Sequence, residues 1–257
     1  MLQIHAVPAF QDNYLWVVAR GTSAAVVDPG ASEPIERFLG DRGLELCAIL
    51  ATHHHGDHVG GLASLAAHWE CPVFGPAGER IDGIDHRLAE GDRIEVPGLG
   101  LALDVLDVPG HTAGHIAYVH RGEAPFVFCG DTLFACGCGR LFEGTPRQMS
   151  ASLAKLARLP GATRVYCAHE YTLANIRFAE AVEPGNARLA ARKARDSEKR
   201  REGEPTVPST IAEELATNPF LRCAEPEVVA SAERHAGRCL NDFIEVFAEI
   251  RAWKNNF

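Results

Sequence analysis

The run Leu46–Ala51, LCAILA, contains no polar residue, and it stops at THHHGDHVGG, residues 52–61. A short, uniformly apolar run is expected for a strand covered on both faces. Such a strand needs a sheet with a layer on either side, and its C-terminal end is where the polar cluster begins. That cluster holds four of the 12 histidines, with Asp57 among them. Neutral imidazole and carboxylate are the usual protein ligands of zinc and iron. His53 and His55 are two residues apart, so in extended backbone they project to one side and His54 to the other. Gly56 then allows a turn that brings Asp57 and His58 to a neighbouring position. The loop therefore offers two incomplete half-sites, one with two imidazoles and one with an imidazole and a carboxylate.

Three later residues can complete them. His111 follows the strand predicted to end at Val108, Asp131 follows PFVFC, and His169 follows RVYCA. Ends of different strands meeting at one sheet edge make a natural site. A carboxylate such as Asp131 can bridge two metals with its two oxygens. His53, His55, Asp57, His58, His111, Asp131 and His169 together suit a two-metal centre with room for a water between the ions. His115 reads as a packing or supporting group. His54, His5, His68, His86, His120 and His235 stand in no motif and read as surface or core residues.

Up to about Glu170 the chain reads as strands with short connections: LQIHAV, NYLWVVAR, AAVVD, the LCAILAT run, DRIEV, LGLALDVLDV, HIAYVH, PFVFCGD and TRVYCAHE. A helix is expected over VGGLASLAAHW. Another is expected over TPRQMSASLAKLARLPG, with Thr145 as N-cap and Gly161 past its end. Beyond Glu170 the pattern is helical, PSTIAEELA included. The expected architecture is α+β, residues 1–170 forming the metal-bearing domain and 171–257 a smaller helical one.

Charge and cysteine content narrow the function classes. A formal net charge of −9 disfavours a nucleic-acid partner. The basic stretch after Asn186 alternates with acids, as on a solvated, ion-paired helix face. No segment suggests a membrane span or a signal peptide. The eight cysteines contain no C-x-x-C pair, so a cytoplasmic protein with reduced thiols is expected. Cys136 and Cys138 read as small packing residues in a tight loop. No stretch marks an interface, and a monomer is expected.

THHHGDHVGG, PGHTAGH, GDTLF and HEYT together resemble the metallo-β-lactamase superfamily. GCGRLFEG, PTVPSTIAEEL, NPFLR and the closing RAWKNNF resemble, within it, the glyoxalase II family of hydroxyacylglutathione hydrolases. The resemblance implies an αββα sandwich. It assigns His53, His55 and His111 to one metal, Asp57, His58 and His169 to the second, and Asp131 to the bridge. Two divalent ions are implied, zinc first, with iron and manganese equally suited to N/O ligands. It also implies a glutathione pocket from Arg140, Tyr171, Arg251 and Lys254. Spacing adds that Arg251 and Lys254 share a helix face. Phe142 departs from the family, which often has tyrosine there.

The implied reaction is hydrolysis of S-D-lactoylglutathione to D-lactate and glutathione by a metal-bridged hydroxide, the second step of methylglyoxal detoxification. Asp57 and Asp131 are the catalytic carboxylates of this expectation, Asp57 orienting the attacking oxygen. The runner-up is a persulfide dioxygenase using a single iron. A non-catalytic metal or glutathione binder on the same fold is the alternative from another class, and an intact ligand set argues against it.

Overall fold

The computed structural model describes all residues, 1–257. The apolar segments at the start pair locally. Gln3–Ala9 (β1), Asn13–Arg20 (β2) and Ser23–Val27 (β3) form an antiparallel meander, since the intervening turns are too short for any other connection. Ser32–Arg42 (α1) then crosses over to Glu45–Leu50 (β4), which lies parallel to β3. Gly56–Val59 (α2) and Leu62–Trp69 (α3) lead to Val73–Pro76 (β5) and His86–Leu88 (β6), completing a six-stranded sheet in the order β1-β2-β3-β4-β5-β6.

Arg93–Val96 (β7), Leu101–Asp107 (β8), Ile116–His120 (β9) and Phe126–Gly130 (β10) build the second sheet as an antiparallel run. A small hairpin follows, Leu133–Phe134 (β11) with Gly137–Cys138 (β12). Pro146–Ala157 (α4) then crosses over to Arg164–Cys167 (β13), parallel to β10. The rest comprises Thr172–Val182 (α5), Ala187–Arg201 (α6), Ser209–Thr210 (β14), Ile211–Thr217 (α7), a 3-10 turn at Pro219–Leu221, Pro226–Ala236 (α8) and Phe243–Asn255 (α9).

Strand alternation sorts the apolar side chains into layers. Val17, Val26 and Ile49 face outward onto Ile35 and Leu39 of α1 and Leu62 and Leu65 of α3. Trp16, Val18, Val27 and Leu50 face inward onto the second sheet's Val105, Tyr118 and Phe128, in a core that continues to Met149, Leu153 and Leu156 of α4. The result is the expected helix–sheet–sheet–helix sandwich. No helix is long and apolar enough to cross a membrane.

The structure departs from the sequence reading in several places. Helix α1 stands where only a short connection was expected, because its apolar stripe is thin: only Ile35 and Leu39 are buried. Strands β5 and β6 were not foreseen, being short, with polar His86 and Arg87 on the edge strand. Thr145 caps α4 in a reciprocal capping box with Gln148, but the helix stops at Ala157, not near Gly161. Pro160 instead accepts from Thr163 N in a separate turn. Residues 209–210, read as helical, add a strand to the edge of β13.

The basic stretch on α6 also needs correction. Lys193–Glu180 and Arg195–Glu213 are surface pairs, as expected. Arg192 and Asp196, however, lie on the inner face and are buried. Arg192 Nη2 is 2.8 Å from Glu214 Oε1, and its Nη1 donates to Thr217 Oγ1 at 2.7 Å. Glu214 Oε2 accepts from Cys136 N at 2.8 Å, and Asn218 Nδ2 donates to Gly137 O at 2.9 Å. This buried network ties the C-terminal helices to the β11–β12 hairpin. Removing one member of a buried ionic cluster leaves an uncompensated charge and costs about 3–5 kcal/mol. Arg192→Met is therefore expected to lower stability by that order in urea unfolding. An unchanged midpoint would show the network to be energetically idle.

Candidate metal centre

The histidine cluster lies at the C-terminal end of β4, as the sequence required. His53 is fully buried, while His54 turns to the opposite side. Gly56 is not the hinge expected of it: it is the first residue of α2, which itself carries Asp57 and His58. The glycine that matters is Gly30, where any Cβ would collide with the Asp57 carbonyl. Asp131 directly follows β10 through Gly130, whose φ of 46° lies in the left-handed region. His111 projects from the β8–β9 connection and His169 from just beyond β13.

All seven sequence-derived residues converge. His53 Nε2 lies 3.2 Å from His55 Nδ1, and His111 Nε2 lies 3.0 Å from that same nitrogen. Asp57 Oδ2 is 3.5 Å from both His58 Nε2 and His169 Nε2. Asp131 stands between these two trios. Its Oδ1 faces His58 Nε2 at 3.5 Å and His169 Nε2 at 3.4 Å, and its Oδ2 faces His111 Nε2 at 3.4 Å.

The electrostatics differ between the trios. Burial lowers His53 well below the usual histidine range, and the surrounding imidazoles lower it further. His55 and His111 are likewise lowered, chiefly by burial. Three neutral nitrogens aimed at one point are the donor set a divalent cation requires. In the second trio burial also pushes His58 down, but the carboxylates of Asp131, Asp28 and Asp57 outweigh it and hold it at about 9. Burial pushes Asp131 up, yet His58, His169 and His111 pull it far below the ordinary carboxylate range. His58 Nε2 and Asp131 Oδ1 are buried without a hydrogen-bond partner. Unpaired buried polar atoms are costly, and a cation between them would satisfy both. The residues present thus fit a divalent metal in each trio.

A supporting ring, largely missed in the sequence, fixes the imidazoles. Asp28 Oδ2 faces His58 Nδ1 at 3.1 Å, while its Oδ1 accepts from Thr52 N at 2.7 Å. Asp12 Oδ1 holds His169 Nδ1 at 2.8 Å, and the Arg140 carbonyl accepts from His111 Nδ1 at 2.9 Å. Asn13 Nδ2 donates to Asp57 Oδ2 at 3.0 Å. The available signal was AAVVD, a carboxylate ending a strand beside the histidine strand. His115 is buried against His53, its Nε2 accepting from Asp131 N at 3.1 Å, a supporting position as expected.

The centre forms the floor of a cavity of about 570 Å³ that also reaches Arg140, Phe142, Tyr171, Arg251 and Lys254. Tyr171 stacks on His169 with centroids 4.7 Å apart. Exposed Phe142 lies edge-on to His55 and His111. Arg251 is buried, not solvated, and donates to Cys138 O at 2.9 Å. Lys254 is half-buried and donates to Ala174 O at 3.2 Å. Burial, with Arg251, Arg177 and Arg140 nearby, lowers its pKa to about 8. Cys136 packs with Ile176, Ala179 and Leu189, and Cys138 lines the cavity wall.

Fold and site together match known proteins. The metallo-beta-lactamase superfamily pattern matches residues 8–169. The ETHE1 crystal structure from Myxococcus xanthus superposes with a TM-score of 0.65 at 22% identity, covering 99% of this chain and 98% of that one. TTHA1623, crystallised in a di-iron-bound form, gives a TM-score of 0.58 at 26% identity over 85% of this chain and 100% of that one. Residues 170–257 match the hydroxyacylglutathione hydrolase C-terminus. The hydroxyacylglutathione hydrolase of Cupriavidus taiwanensis is 59% identical over 266 aligned positions, covering 100% of both chains. The chain belongs to the hydroxyacylglutathione hydrolase family of the metallo-beta-lactamase superfamily.

Losing a partner that orients a metal-binding histidine typically costs about 10–100-fold in metal affinity. Asp28→Asn is expected to weaken divalent-metal binding by that order in a chelator-competition titration. An unchanged affinity would assign Asp28 to packing alone.

Proposed function

We propose that the chain hydrolyses S-D-lactoylglutathione and related hydroxyacylglutathiones to the hydroxy acid and glutathione, using two divalent metals. The name of the Cupriavidus taiwanensis relative supports the substrate class. The observation that carries the two-metal reading is Asp131, with one oxygen toward each trio. A di-iron form of TTHA1623 supports it as well. In this reading His53, His55 and His111 hold one metal, Asp57, His58 and His169 the other, and Asp131 bridges. Zinc is the first choice, iron and manganese the others. The enzyme acts as a cytoplasmic monomer in methylglyoxal detoxification, and its eight unpaired thiols suit a reducing compartment. Residues 1–170 form its catalytic part and 171–257 the part that binds glutathione.

Two bound divalent ions would supply Lewis acidity toward the thioester carbonyl and lower the pKa of a water held between them toward 7. The protein does the rest. Asp57, restrained by Asn13, accepts a hydrogen bond from the attacking oxygen and aims that oxygen at the acyl carbon. The C–S bond then breaks. A thiol has a pKa of about 8.5, so the sulfur can leave as thiolate without a protein acid. Arg140 and Lys254 meet the substrate carboxylates, Tyr171 lines the path to the centre, and Arg251 keeps the Cys138 loop in place.

The direct test compares S-D-lactoylglutathione with the lactoyl thioester of a simple thiol lacking the γ-glutamyl and glycine parts. Fast turnover of the first and poor turnover of the second is expected. Inactivity toward both, with two metals bound, would overturn the thioesterase reading and favour persulfide chemistry. Lys254 gives a pH signature. Its charge is lost as pH rises through about 8, so KM for the anionic substrate should rise between pH 7 and 9. Lys254→Gln should raise KM at pH 7 and flatten that dependence; an unaltered slope would exclude the lysine. Phe142→Tyr, which restores the hydroxyl common in the family, should lower KM, and an unchanged KM would show that the hydroxyl contributes no substrate contact here.

A further inference from the structure

The supporting ring described above serves mostly the second trio, through Asp28, Asp12 and Asn13. The first trio has a different buttress on its outer side. Glu79, in the β5–β6 connection, is buried, with its side chain 2% exposed. No lysine or arginine pairs with its carboxylate. Three donors satisfy it instead: His54 Nδ1 at 2.9 Å on Oε2, and the Thr112 hydroxyl and Gly114 N, the latter at 3.2 Å, on Oε1. A buried carboxylate is tolerable only when so bonded.

The identity of the donors gives the arrangement its meaning. His54 lies between His53 and His55, and Thr112 and Gly114 follow His111 in the same loop. One carboxylate thus tethers the two loops that supply the first trio, one at the end of β4 and the other from the second sheet. Packing there is tight, since a Cβ on Gly114 would sit 2.6 Å from Glu79 Cγ. Arg87 Nη1 anchors the Glu79 backbone carbonyl at 3.1 Å. His54 Nε2 lies 3.4 Å from Glu143 Oε1, and Glu143 Oε2 accepts from Ala113 N at 2.7 Å, closing the tether on its far side. No residue of the second trio bonds to Glu79, His54 or Glu143.

We propose that Glu79, acting through His54 and Thr112, is a positioning residue that sets the spacing of His53 and His55 from His111 and so controls metal affinity in the first trio alone. The inference rests on the two-metal reading above. It is tested on the full-length protein by chelator competition with zinc, which resolves two binding constants. The wild type should bind two equivalents. Glu79→Ala should weaken one site by about 10–100-fold and leave the other unchanged. Glu79→Gln keeps the side-chain volume and an oxygen for Thr112 and Gly114 but turns an NH2 toward His54, so it should weaken the same site by a smaller, measurable factor and carries the test if the alanine variant fails to fold. The effect of either substitution should vanish in a His111→Ala background and persist in an Asp57→Ala background. Equal weakening of both sites, no weakening, or an effect that survives His111→Ala would overturn the proposal. A wild type binding a single equivalent would instead overturn the two-metal reading.

Discussion

Everything in the site depends on one buried carboxylate. Asp131 has an oxygen toward each trio, and three imidazoles hold it ionised against the cost of burial. That geometry requires the ends of β4, β10 and β13, drawn from two different sheets, to meet within a few ångströms. The sandwich supplies this by packing the sheets face to face, with the strand ends opening onto a common edge. The inner core of Trp16, Leu50, Val105, Tyr118 and Phe128 sets the distance between the sheets and, through it, how closely His111, Asp131 and His169 approach the histidine loop. Tyr118 contributes directly, donating from the second sheet to Ala51 O, just before the histidine loop, at 2.9 Å.

The same constraint explains the rest of the polar interior. Seven ionisable groups in one place would repel or desolvate one another unless each had a fixed partner on its far side. Most of the seven have such a partner: Thr52 for His53, Asp28 for His58, Arg140 O for His111, Asp12 for His169 and Asn13 for Asp57. The C-terminal helices extend this pattern. Their buried Arg192–Glu214–Asn218 network ends on the β11–β12 hairpin, so the wall of the cavity is held from both halves of the chain.

The sandwich and all seven central residues were legible in the sequence, because strand ends can be read from apolar runs and ligand types are few. The supporting residues were not. Asp12 and Glu79 lie in loops with no periodicity, Asn13 opens β2, and their partners are distant in sequence, up to 157 positions for Asp12 and His169. His54 looked idle because nothing local reveals Glu79 behind it. Arg192 and Asp196 looked like part of a solvated face, since alternating charge does not disclose which side of a helix is buried. Arg251 matched the family pattern by position, but only the structure reveals that its guanidinium is engaged with Cys138 and lies over Phe220.

The central claim is that both trios must be filled for the chemistry. The most direct measurement is to strip the protein of metal, add zinc stepwise, and follow bound metal and S-D-lactoylglutathione hydrolysis in the same samples. The account predicts that activity stays low through the first equivalent and rises with the second. Full activity after a single equivalent would contradict it and make Asp131 a ligand or support of one metal, not a bridge between two.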